Sequence, residues 1–270
     1  MNKFYFAIGW DGESIIDYPY YLISSASCFS KGKFRVPKLR TTPKEIFLDS
    51  GGFAFFTKWD KYPFSFEEYL KFINDFCFAY PQTKYVSVMD YPCEPQINRK
   101  QLSTNKQRIH ETIQNAKYLL NQKIPAQWVS VIQGHELHEY FYCMEQMFKE
   151  NLFTPLTAIG SICTRKQCGQ IFNIVNAVRK YNPKINIHAF GLELPALYDR
   201  NIWDILYSCD SGAWKFGSNP ENDNWKPTSL EEKNKNFGIY LKKVNRLFAD
   251  RNGNKPLMDH RWQNLCGDLA

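Results

Sequence analysis

The chain has 270 residues, of which 44% are hydrophobic and 23% are charged, and its formal net charge at pH 7 is +7. This composition excludes a disordered protein, and no apolar run approaches the ~18 residues of a membrane span. No signal-peptide pattern stands at the N-terminus, so we expect a folded protein that stays in the cytoplasm. The eight cysteines are scattered through the chain, and we expect them to be free thiols.

Short runs rich in Val, Ile, Phe and Tyr recur along the chain, and most are continuously apolar, as in parallel strands that are covered on both faces. In chain order these eight runs are "FYFAIG", "YYLISSAS", "EIFLDSGG", "KYVSVMDY", "QWVSVIQG", "PLTAIGSI", "INIHAFGL" and "DILYSCDSG". Residues 9–45 contain no clear helix pattern. We therefore expect any departure from a regular architecture in this early part.

Apolar residues recur at three- and four-residue intervals between the strands, which predicts amphipathic helices. These segments are 66–79, about 98–122, 136–150, 164–181 and 229–250. Strands that alternate with helices form a parallel sheet, and eight strands in this length favour a closed (β/α)8 barrel of the TIM type over an open sheet. We predict one α/β domain over residues 1–270, with a polar loop or lid at 216–229 before a basic last helix at about 229–250.

Polar residues collect at the carboxyl ends of these strands, where TIM barrels build their active sites. A single aspartate at such a position most often caps a helix or holds a loop. Three aspartates and a glutamine that converge on one rim instead indicate a site. The strand-end residues are Asp49, Asp90, Gln133, Gly160, His188, Gly191 and Asp210.

This set of side chains fits base exchange on a sugar. One carboxylate can attack the anomeric carbon while a second manages protons, and a third acid beside an amide can read the edge of a guanine. The glycines of "DSGGF" after Asp49 leave room for a flat ligand or another backbone. The pattern therefore predicts ribosyl or deoxyribosyl transfer with a guanine-like base.

The motif "LDSGGF" resembles the signature of tRNA-guanine transglycosylases, and "VSVMDYP", "VSVIQG", "TAIGSI", "IHAFGL" and "YSCDSGAW" follow in that family's order. The resemblance covers roughly residues 45–217. It implies that Asp210 is the nucleophile and Asp49 the general acid/base. The base-binding residues that it implies are Asp90, Gln133, Gly134, Gly160, Ser50 and Gly51.

Two departures from the tRNA enzymes stand out. Their zinc-binding insertion is missing, because no cysteine occurs between Cys209 and Cys266, and their Pro-Thr-Arg stretch is replaced by "CDSGAWKFG". The compact form is more similar to the deazapurine-in-DNA transglycosylases, DpdA, of bacteria and their viruses. This similarity implies exchange of guanine in DNA for a 7-deazaguanine such as 7-cyano-7-deazaguanine, with DNA preferred to tRNA.

We expect no metal or redox cofactor, because the double displacement requires neither. Cys163, Cys168, His135 and His138 are the residues from which a zinc site could be assembled, but they form no CxxC pair and no tight cluster.

Further residues are candidates for supporting roles. Phe53, Tyr91 and Trp214 are expected to stack on the base or to pack in the core, and His188 to orient a carboxylate or to fill the barrel. The basic segments 31–40 and 99–108 are candidates for phosphate contact, or are ordinary solvated surface. Their basic residues are Lys31, Lys33, Arg35, Lys38, Arg40, Arg99, Lys100, Lys106 and Arg108.

Three alternatives to DNA base exchange stay open at this point. The first is a transglycosylase that acts on tRNA instead of DNA. The second is a nucleosidase or DNA glycosylase in which water resolves the intermediate, and the third is a non-catalytic accessory subunit. The pair Asp49 and Asp210 argues against the last. The oligomeric state is open.

Overall fold

Eight parallel strands close into a barrel in the computed structural model, which describes residues 1–8, 17–98, 103–215 and 230–252. The order around the barrel is β1, β10, β9, β8, β7, β6, β5, β2. Each predicted run supplies one barrel strand, which confirms the TIM-type fold. The strands are β1 Lys3–Ile8, β2 Tyr20–Ser24, β3 Phe29–Ser30, β4 Lys33–Phe34, β5 Glu45–Asp49, β6 Thr83–Ser87, β7 Gln127–Ile132, β8 Leu156–Ile159, β9 Asn186–Ala189 and β10 Ser208–Ser211.

Helices cover the outside of the barrel. In the described ranges they are α1 Gly52–Trp59, α2 Phe66–Ala79, α3 Pro95–Asn98, α4 Asn105–Leu119, α5 Leu137–Lys149, α6 Cys168–Tyr181, α7 Leu194–Leu197, α8 Arg200–Ile205 and α9 Leu230–Asn252. The predicted helix at 98–122 is wrong in its start, since α4 begins at Asn105. The pattern did not show α1, which is apolar almost throughout, or α7 and α8, which are too short for a periodic stripe.

Local signals explain where the long helices begin. Ser65 accepts a hydrogen bond from the Glu68 amide while the Glu68 side chain accepts one from the Ser65 amide, and Thr104 and Gln107 make the same capping box before α4. Buried Phe72 and Phe76 hold α2 against the barrel. These caps satisfy amide groups that a helix cannot pair internally.

The expected irregularity appears between β2 and β5, where no α-helix forms. A short 3-10 helix, Ser25–Cys28, leads into the hairpin β3–β4, whose turn holds Lys31 and Gly32 at positive φ. Phe34 stacks on Phe72 of α2 at 4.3 Å between ring centroids. The hairpin therefore replaces a helix as the cover of this side; residues 9–16 lie outside the described ranges.

The last helix, α9, packs on the barrel, as a single domain requires. Phe237 contacts Phe6 of β1, and Phe248 contacts Trp203 of α8, with ring centroids 4.8 and 4.7 Å apart. Arg251 donates to the carbonyl of Tyr198. The domain limits of 1–270 stay a prediction, and the proposed lid at 216–229 is not among the described residues. No described helix is long and apolar enough to cross a membrane.

The amino end of the barrel is filled by a buried ion pair. Lys3 Nζ lies 2.7 Å from Glu45 Oε2, and the Tyr5 hydroxyl donates to Glu45 as well. Glu45 begins the same strand that ends at Asp49, so the filled end and the candidate site lie at opposite ends of β5.

Candidate active site

A cavity of about 200 Å³ lies at the carboxyl ends of the strands. A cavity of about 150 Å³ holds benzene, so this volume suits a single base and not a whole nucleotide. Asp49, Asp90 and Asp210 all line it, although they are separated by up to 161 positions in sequence. Gln133, Gly160 and Phe53 line it too. The structure therefore brings together the strand-end residues that the sequence singled out.

Asp49 ends β5 and points into the cavity. Its Oδ2 accepts a hydrogen bond of 3.0 Å from the Gly51 amide. Burial, and then the negative charges of Asp90 and Asp210, raise the pKa of Asp49 to about 7, against the opposing effect of bonds from Gly51 and Ser24. A carboxyl group with this pKa can both give and take a proton near neutral pH, as a general acid/base must.

The two glycines after Ser50 are required by neighbouring backbone. Gly51 has φ +79°, and a Cβ there would lie 2.6 Å from the Ala26 amide nitrogen. A Cβ on Gly52 would lie 2.8 Å from the Asp90 carbonyl oxygen. Close approach of protein backbone, which was one of the two expected reasons, therefore accounts for both glycines. Gly52 lines the cavity, whereas Gly51 does not.

Asp90 is held at the cavity wall by side chains on both of its oxygens. Ser50 Oγ donates to Oδ1 at 2.7 Å, and Gln133 Nε2 donates to Oδ2. Burial raises the pKa of Asp90, while these two hydrogen bonds lower it. Ser50 is fully buried and also accepts from the Tyr62 hydroxyl. Its position makes it a support for Asp90.

Gly160 shapes the site by its lack of a side chain. Its N–H donates to the Ile132 carbonyl and its own carbonyl accepts from the Tyr140 hydroxyl, both at 2.9 Å. The amide is thus bonded within the barrel, and the base-binding role of Gly160 stays a prediction. A Cβ on Gly160 would lie 2.3 Å from Gln133 Nε2. The glycine therefore makes room for the Gln133 amide.

We predict that Gly160→Ala displaces Gln133 and destabilises the fold by about 1–3 kcal/mol, because an added methyl group overpacks a filled site. Thermal unfolding of the variant measures this cost. Gly169→Ala is the matched control: its Cβ meets nothing within 4 Å on helix α6, so its stability should be unchanged or slightly higher. Equal melting temperatures for Gly160→Ala and the parent protein would contradict the packing argument.

Asp210 is fixed from one side only. Its Oδ1 accepts from the Gly191 amide at 2.9 Å and lies 3.3 Å from His188 Nε2, while Oδ2 has no partner in the described parts of the chain. A strand-end aspartate can also hold the loop that follows it, but no bond between Asp210 and the amide of Ser211 or Gly212 is found in the described residues. His188 is fully buried, and its Nδ1 contacts Ser208 Oγ at 2.9 Å. His188 therefore links the barrel core to the carboxylate.

Three cavity residues with polar side chains or a thiol were not predicted to lie at the base site: Glu94, Ser161 and Cys163. Ser161 has φ +54° and is 5% exposed, and its hydroxyl contacts both Glu94 and Gln133. Glu94 follows Asp90 by four residues in the same loop, and Ser161 follows Gly160 directly. Adjacency to a strand-end residue was the one available signal.

Several residues considered for contact with the base do not line the cavity. Trp214 is 1% exposed, with its Nε1 bonded to the Ala7 carbonyl, so its ring faces are covered. Tyr91 packs on Phe56 and lines a different cavity. Gly134 lies against the first turn of α5, where an added Cβ would be 2.8 Å from the Tyr140 amide nitrogen. Phe53, which is 42% exposed at the cavity, remains as the stacking candidate.

The basic candidates do not form one surface. Arg108 is buried and donates to the Pro92 carbonyl at 2.6 Å, so it is not a surface phosphate contact. Lys38 and Arg40 flank Leu39, whose amide bonds to Tyr80 just before β6, and so lie at the amino end of the barrel, away from the cavity. Exposed residues near the hairpin are Lys31, Lys33 and Arg35; Lys106 is exposed on α4, and Arg99 and Lys100 lie outside the described residues.

A groove of about 500 Å³ lies outside the two basic segments that were predicted to contact phosphate. It is lined by Pro95 and Thr164, which directly follow the cavity residues Glu94 and Cys163, and by Arg165, Lys166 and His135. The groove therefore adjoins the base-sized cavity along the rim. Its cationic side chains suit a phosphate backbone.

The cysteines and histidines considered for zinc do not come together. Within the described residues, no three Cys, His, Asp or Glu side chains are grouped so that they could hold a metal ion. The seven cysteines in these ranges are free thiols.

A comparison with protein families matches residues 18–229 to DpdA, DeoxyPurine in DNA protein A. The match spans more than half of the chain and includes every residue that lines the base-sized cavity. No curated protein matches the chain. The chain therefore belongs to the DpdA family, and this membership supports a DNA-modifying role of the transglycosylase type.

Proposed function

We propose that this protein exchanges guanine in DNA for a 7-deazaguanine base, such as 7-cyano-7-deazaguanine, by double displacement. The observation that carries the proposal is the convergence of Asp49, Asp90 and Asp210 on one base-sized cavity, with the pKa of Asp49 raised to about 7. Each carboxylate then has a different task, set by its hydrogen bonds. The family match supports DNA as the polymer.

Asp210 is the nucleophile in this mechanism. Its Oδ1 is held by Gly191 and His188, which leaves Oδ2 to attack the anomeric carbon of the deoxyribose. The new bond joins Oδ2 to that carbon as the bond from the carbon to guanine breaks. The product is a covalent sugar ester of Asp210.

Asp49 moves the proton in both halves of the reaction. In its acid form it protonates guanine as the base departs, and the resulting carboxylate then takes the ring N–H proton of the incoming base. That base attacks the anomeric carbon and releases Asp210. The proton returns to Asp49, so the cycle balances without another reactant.

Asp90 and Gln133 select the base. Each carboxylate oxygen of Asp90 has two lone pairs, so it can accept from the ring N–H and amino group of guanine while Ser50 and Gln133 stay bound. The second N–H of the Gln133 amide is then free to donate to the guanine carbonyl. Phe53 supplies a ring face at the lip of the cavity.

The target nucleotide must leave the helix to enter so small a cavity, at an unstacking cost of a few kcal/mol. The adjoining groove with Arg165 and Lys166 would hold the flanking strand. The exposed hairpin residues Lys31, Lys33 and Arg35 stay further candidates for backbone contact.

We predict that Lys166→Gln weakens DNA binding and reduces the slope of log affinity against log salt by roughly 0.9, because one phosphate contact is lost. Fluorescence anisotropy with labelled duplex DNA at several salt concentrations measures the slope. Lys38→Gln, which removes the same charge at the amino end of the barrel, should leave it unchanged. Equal slopes for all three proteins would remove Lys166 from the DNA surface.

The proposal is tested by exchange of labelled guanine and of 7-cyano-7-deazaguanine into DNA and into tRNA side by side. Label in DNA alone supports it. Label in tRNA alone would keep the mechanism and change the polymer. Release of free guanine from DNA without incorporation would indicate a hydrolase, and no reaction with either polymer would favour an accessory subunit.

A further inference from the structure

Four buried side chains in the wall of the base-sized cavity form one continuous hydrogen-bonded chain. Gln133 Nε2 contacts Asp90 Oδ2, Gln133 Oε1 lies 2.6 Å from Ser161 Oγ, and Ser161 Oγ lies 2.8 Å from Glu94 Oε2. None of the four residues is more than 6% exposed. Two carboxyl groups, Asp90 and Glu94, therefore end a chain that is almost entirely buried.

The three contacts of this chain need three hydrogens. The Gln133 amide turns one N–H and one oxygen toward its two neighbours, so it supplies one hydrogen whichever way round it sits. The Ser161 hydroxyl supplies the second. The Cys93 amide, 2.8 Å from Ser161 Oγ, only occupies a lone pair of that oxygen. The third hydrogen must belong to a carboxyl group, so either Asp90 or Glu94 is protonated.

Hydrogen bonds place the negative charge on Asp90. Its second oxygen accepts from Ser50 at 2.7 Å, whereas the side chain that contacts the second oxygen of Glu94, among the described residues, is the Cys163 thiol at 3.5 Å. An ionised carboxylate is stabilised by the stronger donors. Of the two carboxyl groups that end the hydrogen-bonded chain, Asp90 therefore has the stronger hydrogen-bond donors.

The remaining surroundings of Glu94 agree with this placement. Burial raises its pKa, and the negative charge of Asp90 raises it further, against opposing bonds from Ser161, its own backbone amide and Cys163. The neighbouring thiols of Cys93 and Cys163 and the phenol of Tyr140 have pKa values that burial raises, so they stay neutral. Arg108 is the nearby cation, and it is bonded to the Pro92 carbonyl.

We propose that Glu94 is a neutral carboxylic acid that, through Ser161, fixes the Gln133 amide with Nε2 toward Asp90 and so keeps Asp90 an anion. Glu94 is then a positioning residue for base selection. An ionised Asp90 accepts from two donors, which suits the N–H edge of guanine and rejects an acceptor at the same place. This consequence for selection rests on the proposed function, whereas the protonation of Glu94 does not.

Glu94→Gln tests the inference, because an amide N–H can replace the acid O–H toward Ser161. We expect its KM for labelled guanine, measured by exchange into duplex DNA, to stay within roughly threefold of the parent value. Glu94→Ala removes the third hydrogen, and its KM should rise roughly tenfold or more with a smaller change in kcat. Glu145→Gln, on the exposed face of α5, is the control. Equal losses for Glu94→Gln and Glu94→Ala would show that a carboxylate is needed and overturn the proposal.

Infrared difference spectroscopy of the free protein separates this inference from the proposed function. Glu94→Gln should remove the carbonyl band of a protonated carboxylic acid, while Asp90→Asn should remove carboxylate bands. Loss of the acid band in Asp90→Asn instead, or loss of carboxylate bands in Glu94→Gln, would overturn the proposal. If the parent protein exchanges no base at all, the proposed function fails and these spectra still decide the state of Glu94.

Discussion

Asp210→Ala is expected to lower base exchange by on the order of 10³-fold or more, because the proposed mechanism forms the covalent sugar ester on this carboxylate. Initial rates of guanine incorporation into DNA measure the loss. Asp210→Asn should bind DNA and guanine but not turn over, since the amide keeps the shape of the side chain and its contact with the Gly191 amide. Mixing the parent protein with DNA should give a covalent complex on a denaturing gel that both variants lack.

Asp204→Asn is the matched control for Asp210. Asp204 lies on α8 with its side chain 62% exposed, so its loss should change neither exchange nor the covalent complex. Exchange by Asp210→Ala at the parent rate would show that the carboxylate only organises its loop. A covalent complex that persists in Asp210→Asn would assign the nucleophile to another residue.

Asp49→Asn is expected to have opposite effects on activity and stability. Exchange should fall by roughly 10²–10⁴-fold, because an amide cannot shuttle the proton. The folded protein should become more stable by roughly 2–4 kcal/mol at about pH 8, because the variant removes a buried charge that Asp90 and Asp210 repel. Chemical unfolding and exchange assays of the same preparation measure the two effects.

The sign of the pH dependence follows from the raised pKa of Asp49. The folded state holds this proton up to about pH 7, whereas the unfolded chain releases it near pH 4. Asp49 therefore lowers the free energy of unfolding as pH rises. The loss begins above about pH 4 and is complete above about pH 7. The gain from Asp49→Asn should shrink as pH falls toward about 4. Exchange by the parent protein should be fastest near pH 7, where both forms of Asp49 are populated.

A loss of stability in Asp49→Asn at every pH would contradict this account. It would mean that the carboxylate mainly holds the Gly51 amide and has no acid/base task. A gain in stability without any loss of exchange would support the raised pKa of Asp49 but would assign the proton transfer to another group.

The barrel could be predicted from the sequence because its strands carry a strong local signal. Continuous apolar runs such as "EIFLD" and "QWVSVI" must be covered on both faces, and eight of them separated by helices leave few arrangements other than a closed barrel. The same topology places Asp49, Asp90 and Asp210 on one rim, since all parallel strands end on the same side. The strand-end carboxylates were thus accessible from sequence.

Only the tertiary structure decided what each polar group does. The amide of Gly160 is bonded within the barrel, and its missing side chain makes room for Gln133. Arg108 is buried and donates to the Pro92 carbonyl, and Trp214 is buried in the core. Burial and partner geometry depend on contacts between distant segments, which composition and periodicity do not encode.

The sequence by itself therefore determined the barrel, the family motifs and the rim on which the carboxylates lie, because these follow from local apolar pattern and strand direction. The structure decided that Asp49 has a pKa of about 7 and that Glu94 and Ser161 join Gln133 and Asp90 in one chain. Both properties arise from side chains at the ends of five strands of a closed barrel, β5, β6, β7, β8 and β10. Their energies depend on distance and burial, and those quantities exist only once the chain has folded.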